Sequence, residues 1–310
     1  MCFAEDITVF DDSSLSSALS TSSGGDNILL EPGRYTNIVF YKKDYANPLT
    51  ITSRDPSNPA QIENIVINES SNIVLASLLI SVPFGEEATL NKGVGLEVYR
   101  SDSIAIRDSL IIGDIINPGE GEADLISNEN LDANDPIEGF YYGTGVTISN
   151  NSNIVFEHNQ IEQFKIGAGF LNIENLRVHN NTFHSIRMDA MRFAQITTGD
   201  ISENYVSNLR PWNGPEGTIN PAIGDHSDMI QFWTTQTTIP STNVKIMNNY
   251  LDAGMATFAI QAIFIRNELV DTGKAQADMR YSNFTICGNQ INNAHTHAIT
   301  IGDVEGLDIS

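Results

Sequence analysis

The 310-residue chain sets 39 acidic against 16 basic residues, a formal charge of −23. Such a field repels phosphate backbones and anionic lipid surfaces, and no stretch is long and apolar enough for a bilayer, so nucleic acid and membrane insertion are excluded as partners. Cys2 and Cys287 are far apart and without companions, which excludes a disulfide framework and zinc-type spacing.

The N-terminus, MCFAED, lacks the basic and apolar regions of a signal peptide, so the chain as given is expected to be soluble, any export signal removed or never present. Residues 13–20 (SSLSSALS) have the small, helix-compatible composition of a cap. Residues 24–40 (GGDNILLEPGRYTNIVF) read as an apolar strand, a Pro-Gly turn and a second strand.

A nine-residue pattern then recurs, Asn-apolar-x-apolar-x-x-Asn-x-apolar. It stands as NIVFEHNQI at 153–161, NLRVHNNTF at 175–183, NVKIMNNYL at 243–251 and NFTICGNQI at 283–291, with looser copies at 103–111, 198–206 and 262–270. Asn159, Asn181 and Asn204 follow at intervals of 22 and 23, and Asn267 to Asn289 is again 22, the length of one solenoid coil. Alternation with period two places Ile154, Phe156 and Ile161 on one side of a strand that buries its apolar face against the coils above and below. The Asn positions fall at tight bends, where Asn tolerates positive φ and its amide pairs with the amide one coil away, about 4.8 Å off. A second strand precedes each copy, beginning at Gly145, Gly169, Asp189, Asp228 and His297, which are expected as equivalent positions of successive coils.

Residues 113–143 and 210–227, rich in Gly, Pro, Asn and acid, interrupt the period and read as loops that leave the stack beside one groove. The sequence stops at GLDIS, which reads as the opening of another strand, so the polypeptide is expected to continue or to have this end covered by other chains. The expected fold is all-β: a single right-handed parallel β-helix solenoid over 1–310, with 1–40 as N-terminal cap and first strands.

The phrase GDNILLEPGRYTNIVF and coils ending in Asn-Asn-x-apolar resemble the pectate-lyase-like superfamily of right-handed parallel β-helices, over roughly residues 24–310. Polysaccharide lyases, mannuronan C5-epimerases, glycoside hydrolases and phage tailspike depolymerases share that fold, so the resemblance implies a carbohydrate ligand rather than one reaction. It implies an extracellular or virion-associated setting, a monomer or homotrimer, and no required cofactor, with calcium left open. The polygalacturonase set of paired aspartates, Gly-His-Gly and Arg-Ile-Lys is absent, as are the lysine-bearing motif of chondroitinase-B-like alginate lyases and the nonapeptide calcium repeats. The Asp-Pro-His-Glu motif of bacterial mannuronan epimerases has no identical counterpart; the nearest segment is GDHSDMIQFW at 224–233.

Aligning the coils on their first strands brings polar residues to one edge: Lys165; then His184, Arg187, Asp189 and Arg192; then Asp225, His226, Asp228 and Gln231; then His295 and His297. On a uronate polymer, His226 would be the base that removes the proton alpha to the carboxylate, and Arg187 or Arg192 the group that neutralises the enolate-like transition state. Reprotonation from the opposite face would give epimerisation and expulsion of the 4-O-linked sugar a lyase, a choice the residues leave open. Asp189, Asp225 and Asp228 could instead supply the two carboxylates of a glycosidase, or serve turns and ladders. Arg192 and Gln231 are expected to point outward, and His184, His295 and His297 have a competing use as bend residues. Tyr141, Tyr142, Trp212 and Trp233 offer faces on which sugars stack. The acidic set Glu120, Glu122, Asp124, Glu129, Asp132, Asp135 and Glu138 reads as a solvated charge run or as calcium ligands, matching no EF-hand. The leading functional expectation is a carbohydrate-active enzyme of lyase or epimerase type; the alternatives are a tailspike or adhesin module that binds and in some cases hydrolyses glycan, and a purely structural solenoid.

Overall fold

The computed structural model describes residues 4–82, 93–116, 137–214, 224–254 and 260–310. Its strands pair in parallel and sort into three stacked sheets, and the coils of the middle region contribute one strand to each. The first sheet includes Arg34–Tyr41, Gln61–Asn68, Val94–Tyr99, the leading halves of Thr144–Glu157, Ile166–His179 and Met191–Ser202, then Asp228–Phe232, Gln261–Ile265 and Ile299–Ile301. The second runs from Asp6–Val9 through the trailing halves of the same long strands to Val304–Ile309. The third is built of three-residue strands from Leu79–Ser81 to Gln290–Asn292. This is the right-handed parallel β-helix expected from the repeat.

The inward column Phe170, Phe193, Phe232 shows why the period-two pattern matters. Successive rings stack at 5.2 and 5.0 Å between centroids, so each coil buries its aromatic face on the next. The first coil is closed by the α-helix Asp12–Thr21, started by a capping box between Asp11 and Ser14, with Leu15 and Ala18 turned into the core. An uncovered first coil would expose a row of unpaired backbone groups.

The two Asn positions of the repeat divide their work. The first takes the left-handed bend: Asn153, Asn175, Asn243 and Asn283 have φ of 53 to 60°. The second forms a ladder, buried at Asn159, Asn181, Asn204 and Asn249 and half-buried at Asn289, each amide bonded to the next at 2.9 to 3.1 Å, while the left-handed residue is the one before it, such as His158 or Glu203. Ser109 holds the equivalent place one coil earlier and donates its backbone N–H to Asn159 Oδ1. Asn204 satisfies the Asn181 backbone N–H and the Val178 carbonyl as well as its two ladder neighbours. Asn204→Ala is therefore expected to cost about 1–3 kcal/mol by leaving buried groups unpaired, read as a lowered urea midpoint; an unmoved midpoint would show the ladder bonds to be without net worth.

Two expectations are corrected. Asn267 is not a ladder residue: it caps the short helix Glu268–Asp271 and bonds Thr234 and the Met279 carbonyl, so Asn249 to Asn289 is one coil of 40 residues. The segment 262–270 accordingly supplies a first-sheet strand, Gln261–Ile265, paired with Asp228–Phe232. The strand starts also shift. Asp189, Asp228 and His297 do share a level, with Gln261 between the last two, but Gly145 aligns with Gly167, and Gly169 with Thr147 and Arg192.

Both long insertions leave at one corner, between the third and first sheets: one follows Leu110–Ile112 and precedes Thr144, the other follows Tyr205–Ser207 and precedes Asp228. Ile115 and Tyr141 form an antiparallel bridge at the root of the first. Of the acidic residues considered for calcium, Glu120, Glu122, Asp124, Glu129, Asp132 and Asp135 lie outside the described residues.

Candidate functional site

The corner from which the insertions leave is where the first-sheet strands begin, and there the chain alternates sharply between inside and outside. Over 225–228, Asp225 points in, His226 points out and is exposed, and Ser227 and Asp228 are buried. Asp225 is held by Arg187, which it meets through Nε at 2.9 Å and Nη2 at 3.0 Å, and its Oδ2 also accepts the Trp212 backbone N–H at 2.7 Å. Both charged side chains have no exposed surface, and the Arg187 guanidinium lies 5.9 Å from the centre of the Trp212 ring. Ser227 adds a bond from its hydroxyl to the Arg187 carbonyl.

Arg187 and Asp225, expected at the ligand, are thus a sealed ion pair that staples the second insertion to the solenoid. Trp212, expected to stack on sugar, is 5 % exposed and belongs to the same cluster. The physical reason is pairing: a bidentate Arg–carboxylate pair compensates its own desolvation, so a charge-rich loop root can be drawn inside.

Asp189 and Asp228 form the next layer, on adjacent coils. Asp189 is 0 % exposed and both its oxygens are used: Oδ1 accepts the Asp228 backbone N–H at 2.8 Å and Oδ2 accepts Arg192 Nε. Its carboxylate is therefore closed to substrate, and its effect outside is to hold Arg192, whose side chain is 25 % exposed, at the surface. Asp228 is 5 % exposed and accepts Gln231 Nε2 at 3.0 Å. Burial pushes both carboxyls upward; Asp228 rises to about 8, burial first and then the charge of Asp189. Arg192 favours the ionised form of Asp189, so the proton of the pair resides on Asp228 near neutral pH.

Asp228 in the folded protein keeps a proton that the unfolded chain, at the ordinary 3.8, has released. Its contribution to stability is full below about pH 4 and is lost as pH rises through about 8. Asp228→Asn, which does not ionise, is expected to keep that stability, so the decline in Tm between mildly acidic and alkaline pH should shrink by a few degrees in a pH series of thermal melts. An unchanged series would contradict the buried, proton-bearing carboxyl.

Arg192 and Gln231 stand in register on the outer face, as expected, and both are half-buried. Trp233, two residues beyond Gln231, is half-buried on the same face. In register with Arg192 on the preceding coil is Gly169, where an added Cβ would meet only one atom, at 4.0 Å, so the sheet beside the guanidinium is bare. The following coil adds Phe264 in register with Gln231 and Gln261 in register with Asp228; Gln261 Oε1 is buried without a partner. Apolar alternation in 262–270 fits either sheet and so hides these two; the likeness of QAIFI to DMIQF, apolar at the same two alternate positions, is the signal in the sequence that points to them.

Other expected residues lie elsewhere. His184 sits in the third sheet, bonded to Ser185 Oγ at 2.8 Å, on a different face from Arg192. Lys165 is buried at the same corner as Asp189, and its carbonyl accepts the Met188 N–H. Tyr142 is half-buried at the end of the first insertion. His295 and His297 are exposed and packed edge to face at 5.3 Å, with His297 one coil beyond Gln261 at the same level and three coils beyond Asp189. Among the described residues no group of three or more His, Cys, Asp or Glu is placed to hold a metal ion.

No protein-family model and no curated sequence matches the chain. Solved structures do share its fold. An alginate lyase from Paenibacillus sp. superposes with a TM-score of 0.55 at 14 % identity, covering 97 % of this chain and 99 % of that one. The Streptococcus pneumoniae surface protein and adhesin PfbA gives 0.54 at 12 %, over 99 % of this chain and 80 % of that one. The periplasmic alginate epimerase AlgG gives 0.51 at 12 %, over 93 % of this chain and 61 % of that one. At such identities the likeness is one of architecture, and it places this chain among the parallel β-helix folds.

Proposed function

We propose that this solenoid acts on a uronate-containing polysaccharide by removing the proton alpha to the sugar carboxylate. The observation that carries the reading is an exposed imidazole, His226, two residues from a buried carboxyl pair that fixes Arg192 at the surface. His226 takes the C5 proton, and its electron pair passes toward the carboxylate, where negative charge builds. Arg192, preorganised by Asp189, stabilises that charge without having to reorient. Asp228, buried beside Asp189, carries a proton and so adds no competing negative charge beneath Arg192. Gln231, Trp233 and Phe264 provide a polar and aromatic floor for the rings on either side.

Return of a proton to the opposite face gives the C5 epimer; departure of the 4-O-linked sugar gives an unsaturated end. The glycosidase reading is disfavoured, because Asp189 has no exposed surface and both its oxygens are engaged, whereas that chemistry needs two carboxyls facing the bond. The neighbours whose names give an alginate lyase and an alginate epimerase support an acidic polysaccharide as substrate and an extracytoplasmic setting.

The test is incubation with alginate, polygalacturonate and other uronate polymers in heavy water, following near-ultraviolet absorbance of unsaturated ends and deuterium at C5. Absorbance marks a lyase, and deuterium without cleavage an epimerase. Neither signal on any uronate polymer, with binding retained, would replace the enzyme by a glycan-binding module.

A further inference from the structure

At the opposite end of the first-sheet strands, the corner joining the first and second sheets is hollowed into a groove of about 1010 Å³. Its outer column, paired level by level with a bulge after Asp44, reads Asp44, Ser71, Asp102, Ser152, Glu174, Thr197. These six levels span about 24 Å at the spacing between paired strands, and carboxylates recur every second level, about 9.6 Å apart. We propose that this groove holds an uncharged glycan chain lying along the solenoid axis, two sugar rings to each carboxylate step.

Ser71 gives its hydroxyl proton to Asp44 and Ser152 gives its own to Asp102, which also accepts from Asn153 Nδ2 at 2.8 Å. Asn172 Nδ2 is likewise spent on Asn150 Oδ1, at 2.8 Å. Asp102 further accepts from Ser103 Oγ at 2.7 Å; with these protons spent along the wall, the serine and carboxylate oxygens offer acceptors to a ligand, which favours one that brings donors. Sugar hydroxyls do so, and their bonds to carboxylates are of the stronger, charge-assisted kind.

Charge selects against the acidic alternative. Among the described residues, Asp44, Glu69, Asp102 and Glu174 line the groove with Arg100 as the cation beside them; Glu69 is paired with Arg100 and with Lys42, so Asp44, Asp102 and Glu174 set a field that repels a polyuronate. Ile239 closes one end with an apolar side chain 44 % exposed, a contact for the C–H face of a ring. The groove is separate from the His226 corner: the five residues of Asp228–Phe232 put roughly 16 Å between the two ends of a first-sheet strand. The proposal therefore stands whether or not His226 is a base.

The experiment is calorimetric titration of the whole chain with hexasaccharides of 1,4-linked glucose, xylose and mannose, beside a hexauronate. At least one neutral hexasaccharide is expected to bind, and Asp102→Asn with Glu174→Gln is expected to weaken it by about tenfold or more. Glu174→Gln alone, at an exposed position, guards against misfolding of the double variant and is expected to weaken the same sugar in part. Binding of none of the neutral sugars at millimolar concentration, preference for the hexauronate, or wild-type affinity in the folded variants would overturn the proposal.

Discussion

His226→Ala is expected to lower turnover on the responsive uronate polymer by about 100-fold or more, the scale of a lost general base, while leaving the thermal midpoint close to wild type. The two halves of that expectation have separate causes. His226 is exposed and flanked by residues that hold the backbone without it: Asp225 is fixed by Arg187, and Ser227 by the Arg187 carbonyl. Truncating an exposed side chain outside those bonds removes little packing. The chemistry, in contrast, has no second exposed base among the described residues of that loop root, since Asp225 and Asp228 are buried. Full activity in the variant would move the base elsewhere; loss of activity together with a large fall in Tm would mean that the imidazole is structural.

Arg187→Met is expected to destabilise the fold by about 3–5 kcal/mol, because it leaves the Asp225 carboxylate buried without its counter-charge. The ion pair has no exposed surface, and Asp225 also anchors the Trp212 backbone, so the penalty falls on the root of the second insertion as well as on the coil. A double variant, Arg187→Met with Asp225→Leu, removes both charges and is expected to recover much of the loss, since an apolar pair of similar volume carries no desolvation cost. Urea denaturation of the single and double variants measures this directly. A single variant as stable as wild type would show that solvent reaches the pair, and would restore Arg187 as a candidate ligand-facing group.

The amino-acid sequence by itself determined the coil. Repeated Asn-apolar-x-apolar-x-x-Asn-x-apolar segments at intervals near 22 residues specify both the inward faces and the bend chemistry, because each is set by neighbours within one strand or one coil away. It also marked residues 13–20 as a helix-compatible cap, within the observed helix Asp12–Thr21, and 113–143 and 210–227 as insertions, and it singled out the 224–233 segment. Only the tertiary structure decided which polar residues there face solvent. Asp225, His226 and Asp228 are near-equivalent in sequence, yet a distant guanidinium draws Asp225 inside and the Asp189 layer buries Asp228, leaving His226 out. Sheet assignment of 262–270 was likewise a tertiary matter: apolar alternation fits either sheet, and what settled it was the length of the intervening loop and the bonds that commit Asn267 to Thr234 and Met279. Local periodicity fixes the strand and its inward face; burial of a charge depends on a partner that no local pattern reveals.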